Sequence, residues 1–94
     1  MKYKIYQPKE VNFFVDSDKV YYAKSEYVQT YEGELNEEIA KEDNDWILER
    51  IFEIFNIRRP EDFKGHSMST NDIVELDDRA YVCDIIGWKE INFA

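Results

Sequence analysis

Cysteine, histidine, glycine, proline and positive charge are all scarce in this 94-residue sequence. It has one Cys, one His, three Gly and two Pro, and its 12 Lys and Arg face 21 Asp and Glu. A lone Cys83 excludes an internal disulfide and suits a reducing compartment. One histidine and one cysteine cannot build a His/Cys zinc set, and the many carboxylates follow no calcium-loop spacing, so neither metal nor cofactor is expected. Gly33, Gly65 and Gly87 are too dispersed to cradle a phosphate. No apolar run approaches the roughly 20 residues a membrane-crossing helix needs. The opening "MKYKIYQPKEVNF" lacks the apolar stretch of a secretory leader. The chain reads as a cytoplasmic protein.

Apolar residues make up 44% of the chain and aromatic residues 16%, too many for a disordered sequence, and the length suits one domain over residues 1–94. The formal charge is −9. Most of it lies between residues 32 and 49, where eight carboxylates (Glu32, Glu34, Glu37, Glu38, Glu42, Asp43, Asp45 and Glu49) stand against Lys41 alone. A field of that sign repels nucleic-acid phosphates and attracts basic surfaces, which argues against direct nucleic-acid binding. The plain alternative is a solvated face that keeps the protein soluble.

"KYKIY" (2–6) alternates polar and apolar residues and predicts a strand that Pro8 ends. "VNFFV" (11–15) predicts a second short strand. "YVQTY" (27–31) suits a strand closed by Gly33. Residues 19–25 fit either a strand or a helical turn. Residues 36–43 are polar nearly all round, which suits a short, loosely packed helix or a mobile loop. "DWILERIFEIFN" (45–56) spaces Ile47, Leu48, Ile51, Phe52, Ile54 and Phe55 by three and four, the period of an amphipathic helix. Asp45 or Asn44 is the expected N-cap, Asn56 the left-handed terminus, and Pro60 the stop. "DIVEL", "DDR" and "AYVCDII" predict a hairpin, with Tyr81, Cys83 and Ile85 on one face and Val82, Asp84 and Ile86 on the other. Gly87 then bends the chain into "WKEINF". The expected fold is α+β: one main amphipathic helix packed on an antiparallel β-sheet supplied largely by the last two dozen residues.

"GHSMSTND" (65–72) gathers the conventional catalytic side chains. Acyl transfer would join Cys83 to His66 with Asp84 orienting the base, but a thiol in mid-strand among apolar neighbours is usually inert packing. The serines precede a strand and lack the flanking glycines of a nucleophile elbow. As a turn, the stretch makes physical sense: Gly65 permits a sharp bend, Met68 faces inward, and the short polar side chains bond to nearby backbone amides.

"FNIRRPEDFKGHSMSTNDIVEL" followed by "AYVCDIIGWKEI" resembles the YodL-like domain of Gram-positive bacteria, their phages and other mobile elements. The resemblance rests on Phe55, Asn56, Pro60, Asp62, Phe63, Gly65, His66, Ser67, Ser69, Asp72, Tyr81, Asp84, Gly87 and Trp88, with "YEGEL" (31–35) as an upstream match. It covers about residues 27–91, and the first 25 residues match less clearly. It implies no general catalytic activity, and it leaves the acidic insert at 36–45 unexplained.

The expected function is therefore a small non-enzymatic protein-binding module that modulates or inhibits a host or element-encoded protein with a basic surface. In its concrete form Glu34, Glu37, Glu38, Glu42, Asp43 and Asp45 imitate a row of phosphates, as anti-restriction and anti-CRISPR proteins do. The alternatives are a structural or accessory domain without inhibitory role, or a small enzyme using His66 with Asp72 or Asp84. Tyr21, Tyr22, Tyr27 and Trp46 exceed what one small core can hide, and a contiguous patch of them would mark a partner site or a homodimer interface.

Overall fold

Six strands and one long helix make up the frame of the domain. A computed structural model describes residues 1–10 and 14–94. Six strands run in the order β2-β6-β5-β4-β1-β3: β1 (Lys2–Pro8), β2 (Tyr21–Tyr22), β3 (Tyr27–Glu34), β4 (Ile73–Leu76), β5 (Arg79–Asp84) and β6 (Gly87–Phe93). Every pairing is antiparallel except β2 with β6, which is parallel over two residues. The sheet is thus mixed rather than purely antiparallel. Tyr21 and Tyr22 lie beside Asn92 and Phe93 and run in the same direction.

Alternation sorts the strand residues into two buried clusters. Ile5, Val74, Leu76 and Tyr81 share one with Ile47, Leu48, Ile51, Phe55 and Met68. Tyr6, Ile73, Ala80, Val82 and Ile91 share the other with Tyr22, and Tyr27 and Phe93 border it. Both faces of the central strands are therefore covered, which is why β1, β4 and β5 carry consecutive apolar pairs. The sheet is not chiefly the work of the last two dozen residues. β1 lies between β4 and β3, and Ile5 is wholly buried. A bulge between Ile5 and Tyr6 leaves Thr30 of β3 without a direct strand partner, and its hydroxyl donates to Ile5 O at 3.4 Å.

The main helix, α2, spans Asn44–Ile57, one residue beyond each expected end. Its cap is Asp43, whose carboxylate accepts Trp46 N–H at 2.9 Å, and not Asn44 or Asp45. Asn44 is helical and its amide donates to the Tyr81 hydroxyl at 2.7 Å. Asn56 does not take the left-handed position either; Arg58 ends the helix with φ −132°. Residues 36–43 contain one ordered turn, α1 (Glu37–Ala40), capped by Asn36 accepting from Ile39 N–H at 2.9 Å. The undecided 19–25 stretch holds both β2 and the start of a 3₁₀ turn, Lys24–Glu26. Of the expected strand at 11–15, residues 11–13 lie outside the described residues, and Phe14 and Val15 are not in a strand.

Strand β3 passes through Gly33 to Glu34 instead of stopping there. Tyr3 explains that glycine, because a Cβ at 33 would lie 2.7 Å from the Tyr3 ring. The hairpin of β4 and β5 forms as expected, with Asp77 at φ 54° in its turn. Ile85 and Ile86 correct the face assignment. They are 74% and 96% exposed because they form the two-residue turn between β5 and β6, so neither lies on a sheet face. Gly87, at φ 137°, starts β6 directly after them.

Candidate functional site

Residues 65–72 close on β1 around one buried side chain. Gln7, 2% exposed, donates from Nε2 to His66 O at 2.9 Å and to Asp72 Oδ2 at 3.0 Å. Ser69 N–H donates to the same Asp72 oxygen at 3.0 Å. Asp72 is 1% exposed, and its backbone continues into the sheet through Cys83 N–H, which donates to Asp72 O at 2.8 Å. Asn56, on the last turn of α2, grips the same stretch from the other side. Its Oδ1 accepts Met68 N–H at 2.6 Å and its Nδ2 donates to Met68 O at 3.3 Å. Asn71 adopts φ 74°, which a short polar side chain tolerates. Its N–H donates to Cys83 O, its carbonyl accepts the Tyr27 hydroxyl at 2.8 Å, and its amide donates to Phe14 O at 2.8 Å.

Gly65 is needed for space, not for a sharp bend. Its φ lies outside the left-handed region, but a Cβ there would run into Gln7 Oε1. The glycine lets β1 and the turn approach closely enough for Gln7 to reach across.

The catalytic arrangements considered from sequence are not assembled. The exposed His66 ring has Nδ1 2.8 Å from Ser67 O, so Nδ1 carries the hydrogen and donates. Among the described residues it meets no carboxylate by hydrogen bond: Asp72 faces Gln7 and Ser69, and Asp84 Oδ1 accepts Ile85 N–H at 2.6 Å. Cys83 is buried, and burial pushes its thiol up to about 12, which suppresses the thiolate. Among the described residues no cluster of His, Cys, Asp and Glu could hold a metal ion.

The acidic residues lie elsewhere. Glu34, Glu37, Glu38, Glu42, Asp43 and Asp45 are all exposed, along the end of β3, α1 and the start of α2. The ion pairs among the described residues, Lys24–Glu75, Arg50–Glu53 and Arg79–Glu90, involve none of them. They are not equivalent. Glu32 and Glu34 stand across the ladder from Lys4 and Lys2 of β1, which partly neutralises that end. Asp43 is engaged as a helix cap. Glu37, Glu38, Glu42 and Asp45 remain the most open part of the charge. The aromatic surplus also divides: Tyr22 is buried and Tyr27 half-buried, whereas Tyr21 is 73% and Trp46 42% exposed. Trp46 lies under the Arg50 guanidinium, 5.8 Å from ring centre.

Of the side chains that hold the turn, Gln7 carried no expectation from the sequence, and Asn56 and Asn71 carried different ones. Asn56 was expected as the left-handed helix terminus, and Asn71 as one of the short polar side chains bonding to nearby backbone amides. The bonding partners of all three lie 12 to 65 residues away, beyond any local pattern.

Fold and knot together define a small α/β domain in which a polar turn is tied to a central strand by buried amides. The chain belongs to the YodL-like domain family, which it matches over residues 2–93. The match reaches further than the sequence motifs suggested and takes in β1, the strand that supplies Gln7 to the turn. No curated protein and no solved structure shows a significant match. No helix among the described residues is long and apolar enough to cross a membrane.

Proposed function

We propose that this chain is a non-enzymatic protein-binding module of phage or mobile-element origin. It acts in the host cytoplasm by setting its carboxylates against a basic surface of a host or element-encoded protein. The observation that carries this reading is the presentation of the acids. Glu37, Glu38, Glu42 and Asp45 are exposed and free of ion pairs among the described residues, with Glu37 and Glu38 in the first turn of α1, Asp45 in the first turn of α2 and Glu42 in the short connection between them. An ordered frame holds the charges at fixed spacings, which is what imitation of a phosphate row requires of them. The reading also takes α2 to be seated by its apolar face on the sheet, so that its N-terminal end stays rigid. The polar turn at 65–72 serves as scaffold, since its hydrogen bonds run inward to Gln7, Asn56 and the sheet.

The test is capture on the immobilised chain from the lysate of a Gram-positive host, at low and at high salt, alongside a folded variant with Glu37, Glu38, Glu42 and Asp45 changed to lysine. A protein retained at low salt, released at high salt, displaced by a DNA duplex and lost with the variant is the expected result. Retention by the variant equal to that of the native chain would remove the acidic edge from the proposal. A partner indifferent to DNA would remove phosphate imitation and leave protein binding.

A further inference from the structure

The pairing of Gln7 with Asp72 leaves one oxygen on each side chain without a partner. Gln7 Nε2 directs its hydrogens to His66 O and Asp72 Oδ2, while Gln7 Oε1 and Asp72 Oδ1 are buried and accept no hydrogen bond. Turned over, the amide would set Oε1 against His66 O, which can only accept, so the orientation with Nε2 there is the bonded one. Among the described residues no lysine or arginine is paired with Asp72. A carboxylate with 1% exposure and no such ion pair is in an environment that favours the neutral acid. Both orphaned atoms are acceptors, so only a hydrogen can satisfy either. Placed on Asp72 Oδ1, it gives that oxygen something to donate, and the amide oxygen of its own partner is the acceptor that lacks a donor.

We infer that Asp72 is a proton-loaded latch: protonated, it pairs with Gln7 as carboxylic acid with amide and holds residues 65–72 on β1, and loss of that proton to solvent loosens the turn. The proton exchanges with water, and no other bond is made or broken. Groups facing Asp72 set the balance. β1 contributes the uncharged Gln7, and its own turn contributes Ser69 N–H and His66, whose charge favours the ionised form. β3 contributes Tyr27 and β5 Cys83, both held neutral by burial. Asn56 of α2, which holds Met68, is uncharged. Desolvation outweighs the bonds from Gln7 and Ser69 and the His66 charge, and pushes Asp72 up to about 6. The latch therefore changes state in a range that cells and their compartments visit.

The experiment uses the native chain. The Asp72 carboxyl carbon is followed by NMR from acid to mildly alkaline pH, together with hydrogen-exchange protection of the Met68 and Ser69 amides, corrected for intrinsic exchange. Asp72 should titrate at least one unit above an unstructured aspartate. Protection of the two amides should fall about tenfold or more through the same midpoint, one pKa unit being a factor of ten. In Asp72→Asn the protection should be flat across that range. A midpoint raised by less than one unit, or protection in the native chain that ignores the titration, overturns the inference. Both readings come from the native chain, so they decide the matter even where Asp72→Asn folds poorly.

Discussion

Replacing Gly65 by alanine tests the close approach that lets β1 meet the polar turn. The added Cβ would collide with Gln7 Oε1 and lie 2.9 Å from Gln7 Cδ and 3.0 Å from Thr30 Cγ2. The Gln7 amide must then leave, giving up its bonds to the neutral Asp72 carboxyl and to His66 O, each worth up to about 1.5 kcal/mol. Reduced freedom of the unfolded chain returns about 0.4–1 kcal/mol. The expected net loss is about 2 kcal/mol. Gln7→Ala forfeits the same two bonds directly and should lose a similar amount. In the double variant the collision with the amide no longer exists, so it should be scarcely less stable than Gln7→Ala. The coupling energy is then about 2 kcal/mol, against near-additivity within about 0.5 kcal/mol for independent sites. Urea unfolding followed by circular dichroism reads this as midpoint shifts of about 1 M or more, given slopes of about 1–3 kcal/mol/M. Additive effects, or a Gly65→Ala loss below about 1 kcal/mol, would refute the steric reasoning.

Four further outcomes follow from named contacts. Asp43→Ala should cost about 1 kcal/mol in urea unfolding through loss of the cap to Trp46 N–H, whereas Asp45→Ala should stay within about 0.5 kcal/mol. Phe55→Ala, at a site 1% exposed and ringed by Tyr31 and Phe63 at 4.9 and 4.8 Å, should cost about 3–5 kcal/mol in the same assay. Asp72, with its folded value raised from 3.8 to about 6, adds stability that is fully present below about 3.8 and lost as pH rises through about 6, at most roughly 3 kcal/mol; unfolding midpoints measured across that window should lose this slope in Asp72→Asn. Cys83, buried and pushed up to about 12, should resist iodoacetamide at neutral pH in the folded chain and react once urea is added, as mass spectrometry would show.

Some of this was legible residue by residue. The spacing of Ile47, Leu48, Ile51 and Phe55 marks α2, and all four are buried on it. The Asp77 turn and its flanking apolar runs mark the β4–β5 hairpin. The cap of α2 was missed by one or two residues, because Asp43, Asn44 and Asp45 are all good capping residues; Asp43 caps, while Asn44 is already helical and bonds to Tyr81. Ile85 and Ile86 looked like strand because β-branched residues favour strands, but pairing of Asp84 with Gly87 makes them a turn. The acidic stretch was readable as charge, yet not the placing of Lys2 and Lys4 opposite Glu34 and Glu32, which depends on the register of β1 against β3.

Hydrophobic period, turn chemistry and charge are local quantities, and the sequence by itself determined what depends on them: an amphipathic α2, a C-terminal hairpin, a polar turn at 65–72 and an exposed acidic stretch. Only the tertiary structure decided that β1 enters the sheet between β4 and β3, that Gly65 is small because Gln7 must pass it, and that Asp72 is buried with no lysine or arginine paired to it among the described residues. Those depend on which distant segments meet, and meeting is settled by the burial of both sheet faces at once, a condition no short window of residues contains.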